Sequence, residues 1–389
     1  MKVLYVDQFG KTAGRDSIAQ CRYIQNNEGI DITVYLSDNT EIPAETKNLK
    51  IVKGFRGAYE GNTINKARNY LKALKELKQY IKKEKFDIVH LQWFSLPWLE
   101  WIYVRSLRKY SKVVITVHDV IPFNVRPFEM KCLDLIYDAA DQLLLHTESS
   151  RKQFCEHYST KTPIEIITQG FCLKSDYIKL DGKEAKAHFG IPENAVVFLF
   201  YGTIRYSKGF DYLIQAIGNA SKKNEKIVLL VGGAFQKLNP ETYQKLLKES
   251  LEKTNYFVNF NFIPMEEEQW YFSAADVICL PYLEITQSGV AQVGLMYELP
   301  MIASDIGEMN QVTRAGVNGE LVHPKNILEL EQAILKLASD SDLRKRYSEG
   351  SKILAEKEFS VEIKGQKVSN AYRRLMNEQV PEGKIVGGK

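Results

Sequence analysis

No run of about 18 apolar residues occurs in this 389-residue chain, so no segment reads as a membrane-spanning helix. Cysteine is scarce: five residues, Cys21, Cys132, Cys155, Cys172 and Cys279, with no CxxC pair. That pattern excludes a zinc ribbon and argues against a disulfide framework. It favours buried thiols in a reducing compartment, hence a cytoplasmic protein. An excess of one charge is lacking too: 52 Lys and Arg against 48 Asp and Glu leave +4, too little to argue for nucleic acid. No GxxxxGK(S/T) loop is present, and no GxGxxG follows a strand, which excludes the two commonest phosphate-loop signatures. No DxD flanked by apolar residues suggests a metal clamp. The opening MKVLYVDQFG has too short an apolar run for a signal peptide and reads as a first strand.

What is there is an ordinary globular composition, 44% hydrophobic and 26% charged, at a length that suits two domains. Short apolar runs alternate with amphipathic stretches. Strands are expected at 2–6, 32–35, 51–52, 88–91, 113–117, 142–145 and 164–167, then at 196–201, 227–231, 256–260, 277–280, 301–302 and 320–322. The clearest helix is 65–85, where Tyr70, Leu74, Leu77 and Ile81 form an apolar stripe. Further helices fit 210–220, 240–253, 266–274, 290–297 and 327–338. Such alternation predicts two doubly wound α/β domains, each a parallel sheet with helices on both faces. The expected division is an N-terminal domain over 1–170, a linker over 171–190 and a second domain over 191–359. A last helix over 360–378 crosses back to the first domain, and a tail over 379–389 frays.

The most telling stretch is Val196 to Gly209, VVFLFYGTIRYSKG. An apolar strand runs into a glycine turn at Gly202 that carries Arg205 and Lys208. A helix follows with Phe210, Leu213, Ile214 and Ile217 on one face. A strand, a glycine loop, fixed cations and a helix N-terminus are the parts of a phosphate site. A second stretch, 275–304, repeats the logic. The strand 277–280 ends at Pro281, a polar loop carries Thr286, Gln287, Ser288 and Gly289, and a helix starts near Val290. First-turn amides and the helix dipole there suit phosphate oxygens.

The spacing G-x-x-R-x-x-K-G resembles the donor diphosphate site of GT4-type glycosyltransferases of the GT-B fold. Ala274-Ala275-Asp276, Pro281, Leu299-Pro300-Met301-Ile302-Ala303-Ser304 and Asn318-Gly319-Glu320-Leu321-Val322 follow in that family's order. The resemblance covers nearly the whole chain. It implies two Rossmann-like domains facing across a cleft, with acceptor binding in the first and nucleotide-sugar binding in the second. Arg205 and Lys208 would neutralise the leaving diphosphate, aided by the Ser288, Gly289 and Val290 amides. Gly232 and Gly233 would lie under the nucleotide, and the base would meet the backbone near Phe262. There is one departure. The family's two glutamates, with seven residues between them, fall here on Ile285 and Val293. Glu284 is the nearest substitute, and T-Q-S-G-V resembles a Gln-Ser-Gly variant of the motif.

In the first domain the resemblance points to the glycine loop with Gly10 and Gly14, and to His118-Asp119 at the end of the strand 113–117. His118 would contact the donor sugar or support the reacting centre. Asp119 would orient its imidazole or cap the next helix. Glu148 reads as a helix cap, with a place facing the cleft as the alternative. Trp93, Phe94, Trp98, Trp101 and Tyr103 read as a helix packed in the core, with an apolar lip for a lipid-linked acceptor as the alternative. Lys72, Lys75, Lys78, Lys82 and Lys83 make a basic stripe that is either a solvated face or a dock for anionic lipid at the inner membrane surface.

The expected activity is therefore transfer of a hexose-type sugar from a UDP- or GDP-sugar to a glycan or lipid-linked glycan, retaining, with no cofactor and no metal. Two alternatives stay open: a nucleotide-sugar epimerase of the same fold, and a non-catalytic subunit that binds a nucleotide sugar or a partner.

Overall fold

The computed structural model describes residues 1–9, 13–40, 42, 46, 48–59, 61–122, 125–168, 178–252, 255–285 and 288–379. The chain divides into two compact units, Met1–Leu173 with Phe359–Lys389, and Lys174–Glu358.

The first unit holds a seven-stranded parallel sheet. Its strands are β1 (Lys2–Asp7), β2 (Asp31–Ser37), β3 (Lys50–Gly54), β4 (Ile88–Leu91), β5 (Lys112–Thr116), β6 (Gln142–Leu145) and β7 (Ile164–Ile166). Their order is β3-β2-β1-β4-β5-β6-β7. The strands are apolar at successive positions because both faces are covered. Leu4, Val6, Val89, Val113, Ile115 and Leu143 pack beneath α2 (Thr63–Glu84), α3 (Pro97–Leu107), α4 (Glu129–Asp138) and α5 (Glu148–His157). Val3, Tyr5, Ile88, Val114 and Leu144 pack on the other face with Ile18, Cys21 and Ile24 of α1 (Ala13–Glu28). The C-terminal helix α14 (Val361–Leu375) belongs to this second layer. Its Val368, Ala371 and Tyr372 are buried there, and Arg373 pairs with Glu28 at 2.8 Å. Burying each such side chain stabilises the layer by about 1.5–3 kcal/mol.

In α2 the expected stripe is seated as the spacing requires: Tyr70, Leu74, Leu77 and Ile81 are buried, and Asn62 caps the helix by accepting the Asn65 amide at 2.9 Å.

The second unit opens with α6 (Gly182–His188), in the stretch read as a linker; its Lys186 pairs with Asp276 at 2.8 Å. Then come β8 (Val196–Tyr201), α7 (Phe210–Ser221), β9 (Ile227–Gly232), α8 (Pro240–Ser250), β10 (Tyr256–Asn259) and α9 (Met265–Ala274). They are followed by β11 (Val277–Leu280), α10 (Gly289–Met296), β12 (Met301–Ser304), α11 (Met309–Val312), β13 (Gly319–Val322), α12 (Ile327–Ser339) and α13 (Ser341–Lys357). The parallel order is β10-β9-β8-β11-β12-β13. Phe210, Leu213, Ile214 and Ile217 of α7 are wholly buried against β8 and β9, which fixes the position of the loop before them.

Strand order reverses at β1/β4 in one sheet and at β8/β11 in the other. Loops diverge at such a reversal, and the crevice left at the carboxyl ends of the strands is where ligands of open α/β sheets bind.

Candidate functional site

At the reversal in the second unit, the loops after β8 and β11 leave the sheet side by side. The Ser207 carbonyl accepts the Leu283 amide at 2.8 Å and the Glu284 amide at 3.4 Å. Gly209 lies at φ +63°, and a Cβ there would stand 2.0 Å from the Pro281 carbonyl oxygen. Gly233, at φ +152°, passes so close to Gly202 that a Cβ would meet its carbonyl oxygen at 2.0 Å. Only glycine allows either approach. Gly202 in turn faces Val290, whose Cγ2 would lie 3.3 Å from an added Cβ. Three loops, after β8, β9 and β11, are thus locked together around the start of α10.

Two cations sit in this lock. Lys208 is only 8% exposed, with Nζ 3.6 Å from the centroid of the Tyr282 ring. Arg205 Nε is buried without an acceptor. Among the described residues no carboxylate pairs with either. Burial, then the neighbouring Arg205, lowers Lys208 to about 7. Tyr282 is buried and its hydroxyl bonds to Ser288 Oγ at 3.1 Å. Ser288 caps α10 by accepting the Ala291 amide at 3.2 Å, and the Gly289 and Val290 amides open that helix. The buried Lys208 and the half-buried Arg205 thus lie beside a helix N-terminus with no carboxylate partner among the described residues, an arrangement suited to an anion.

The remaining donor-side candidates divide. Glu284 is exposed and reaches the lock through its amide. Gly232 makes room for the Tyr271 ring, which an added Cβ would meet at 2.7 Å. Phe262 is 80% exposed beyond β10, open to a stacking partner. Thr286 and Gln287 lie outside the described residues, as does Gly10.

At the reversal in the first unit lies a cavity of about 440 Å³, lined among others by Phe9, Gln92, Trp93, His118, Asp119 and Tyr137. The His118 ring stacks on Trp93, centroids 4.1 Å apart and planes at 12°. Its Nε2 lies 3.0 Å from Gln92 Oε1 and its Nδ1 lies 3.2 Å from His146 Nε2. Burial, then His146, holds His118 well below the ordinary histidine value. Burial, then Lys364, brings His146 to about 4. Both rings are therefore neutral at pH 7.

Asp119 lines the cavity with a carboxyl raised by burial, but it does not hold the imidazole; Gln92, His146 and Trp93 do. Glu148 is not the cap of α5. Thr147 is, by accepting the Ser150 amide at 2.9 Å, while Glu148 pairs with Arg151 at the surface. Gly14 lies in α1, where an added Cβ would stand 2.4 Å from Thr40 Cγ2, so its small size serves packing. Phe94, Trp101 and Tyr103 pack on the core, whereas Trp93 faces the cavity and Trp98 lies beneath the Arg126 guanidinium at 4.4 Å. Part of the α2 lysine stripe is occupied: Lys78 bonds Ser106 at 2.7 Å and Lys82 lies over Tyr110.

Sequence reasoning missed Gln92, His146 and Tyr282. The first two directly follow β4 and β6, on the edge where His118 emerges, so strand ends carried the signal. Among the described residues no helix is long and apolar enough to cross a membrane.

Comparison with known proteins agrees with this geometry. Residues 19–174 match the Glycosyltransferase Family 4 domain, and residues 181–353 match Glycosyl transferases group 1. The chain is 21% identical over 377 residues to the D-inositol 3-phosphate glycosyltransferase of Corynebacterium glutamicum, covering 91% of this chain and 90% of that one. Its fold resembles sucrose-phosphate synthase from Thermosynechococcus elongatus, with TM-score 0.75 and 16% identity over 97% of this chain and 99% of the other. It also resembles Anabaena HepE solved with UDP and glucose, with TM-score 0.72 and 16% identity over 96% and 100%. Two matched domains that together span most of the sequence, on two parallel α/β sheets of this topology, identify the chain as a GT4-like glycosyltransferase of the GT-B fold.

Proposed function

We propose that the enzyme transfers a hexose-type sugar from a nucleotide-diphosphate sugar to a glycan or lipid-linked glycan acceptor in polysaccharide or glycan assembly, UDP being favoured over GDP. The observation that carries the donor class is the pair Lys208, buried, and Arg205, its Nε buried without an acceptor, beside the start of α10 with no carboxylate partner among the described residues. A diphosphate supplies the missing counter-charge. HepE, of like fold, was solved with UDP, which supports the base.

When the bond from the anomeric carbon to the phosphate oxygen breaks, negative charge grows on the diphosphate. Fixed cations and amides aimed at that charge lower the barrier, commonly by about 3–4 kcal/mol for one such group. In this reading they do the work of a divalent metal, and turnover is insensitive to chelators. The acceptor enters the cavity of the N-terminal unit, where aromatic walls take the apolar face of a sugar ring and His118 and Asp119 meet its polar groups. Retention at the anomeric carbon and peripheral association with the inner membrane face through α2 belong to the same reading.

The test is nucleotide release from a panel of UDP- and GDP-sugars with lipid-linked and soluble glycan acceptors, with and without chelator. Release from a UDP-hexose that survives chelation is expected. Absence of release from every donor, or full activity in both Arg205→Ala and Lys208→Ala, overturns the reading.

A further inference from the structure

The histidines at the ends of β5 and β6 form a hydrogen-bond chain whose direction elementary chemistry decides. His146 Nδ1 lies 3.1 Å from the Ile167 carbonyl oxygen. A carbonyl oxygen only accepts, so that nitrogen carries the proton. A neutral His146 then has a bare Nε2, which must accept from His118 Nδ1 at 3.2 Å. A neutral His118 with its proton on Nδ1 has a bare Nε2, which needs a donor. Its neighbour at 3.0 Å is Gln92 Oε1, another acceptor, while Gln92 Nε2 is buried with no partner. Turning the Gln92 amide over satisfies both atoms at once: the amide nitrogen donates to the imidazole, and no donor is left stranded. Amide oxygen and nitrogen are assigned from the network in this way.

We infer that His146 is a positioning residue that fixes His118 in its Nδ1–H tautomer and so presents the His118 Nε2 lone pair, beside Gln92, to the cavity of the N-terminal unit. His146 is 3% exposed and anchored to the β7 end of the sheet, so it cannot swing away without breaking its bond to Ile167. Trp93 fixes the plane of the His118 ring from one face. With plane and tautomer both set, Nε2 accepts only from a donor. An occupant that displaces Gln92 must bring an O–H or N–H, which a sugar hydroxyl does and a carboxylate or phosphate oxygen does not. The tautomer stands on the hydrogen-bond geometry of two neutral rings; the hydroxyl-bearing occupant rests on the glycosyl-transfer reading.

Nitrogen-15 NMR of the full chain with labelled histidine tests this, the His118 signals being assigned by their loss in His118→Asn. The expected result is an Nδ1–H, Nε2-bare His118 in the unsubstituted protein at pH 7. His146→Leu removes the acceptor and moves the His118 proton to Nε2. His146→Gln, whose amide oxygen accepts, restores Nδ1–H. In the transferase assay His146→Leu lowers kcat by about tenfold with the donor KM little changed, and His146→Gln recovers it. An Nε2–H or doubly protonated His118 in the unsubstituted protein overturns the inference without needing any variant to fold. So does a tautomer unmoved in His146→Leu. A correct tautomer in a protein that turns over no sugar nucleotide keeps the inference and overturns the glycosyl-transfer reading instead.

Discussion

The two sheet reversals solve opposite problems with opposite materials. In the C-terminal unit the site is built from backbone, glycines and two cations with no carboxylate partner among the described residues. In the N-terminal unit it is built from neutral side chains: three linked or stacked rings, Trp93, His118 and His146, and an amide, Gln92. The first arrangement is unfinished until an anion arrives. The second links its rings by hydrogen bonds and stacking and yields to a ligand that replaces one of those bonds. One fold topology, used twice, thus gives a cationic crevice suited to an anion and, in the proposed reading, an aromatic one suited to a hydroxyl-bearing ring.

The largest effects that would sharpen this contrast lie in the cations. Arg205→Ala and Lys208→Ala should each lower kcat/KM for the sugar nucleotide by about 10²–10³-fold, whereas Trp93→Ala should act mainly on the acceptor KM. Steady-state kinetics with each substrate varied separately would expose any reversal. Next come the glycines. Gly233→Ala places a methyl 2.0 Å from the Gly202 carbonyl oxygen at a φ of +152°, and should destabilise the C-terminal unit by about 2–3 kcal/mol. Hydrogen exchange resolved by unit should show the loss there and not in the first sheet.

Acid should act on the other unit through its buried histidines. Burial, then Lys364, holds His90 to about 3, and His146 is held to about 4, against an ordinary value near 6.5. The unfolded chain binds these protons more readily than the folded one, so the stability these histidines contribute is full above about pH 6.5 and is lost as pH drops toward the folded values. The slope is about 1.4 kcal/mol per pH unit for each histidine, and it is opposed by Asp7 and Glu100, whose carboxyls burial raises to about 6 and about 7. Denaturant titrations at pH 7, 6 and 5 should show His90→Gln gaining stability relative to the unsubstituted protein as pH falls. The smallest effect belongs to Tyr282→Phe. It keeps the ring beneath Lys208 and removes the hydroxyl on Ser288, costing about 1 kcal/mol in nucleotide affinity; Tyr282→Leu, which removes the ring as well, should cost more.

Much of this was legible in the residues. All thirteen strands among the described residues, and the α7 stripe that seats the cation loop, follow from apolar runs and 3.6-residue spacing, because a sheet covered on both faces leaves little choice. The Arg205–Lys208 loop was legible because backbone geometry there demands glycine, and glycine shows in a sequence. Helix α1 was not, since Ser17 and Gln20 are buried among Ile18, Cys21 and Ile24 and blur its stripe. Nor were the partners of His118. Gln92, Trp93 and His146 come from other loops, and only strand order brings them together. Asp119, adjacent in sequence, was the natural candidate, yet it lines the same cavity without a hydrogen bond to the imidazole.

The central claim is that Arg205 and Lys208 are the missing half of a diphosphate site. Calorimetric titration of the full chain with UDP at pH 8, in buffers of different ionisation enthalpy, tests it most directly. Lys208 is held near 7 before binding and must be charged after it. UDP should therefore bind with uptake of about one proton, more weakly as pH rises. Lys208→Arg, charged throughout, should abolish the uptake, and Arg205→Ala with Lys208→Ala should abolish binding. No binding of UDP or of GDP, or binding unchanged in the doubly substituted protein, would contradict the account.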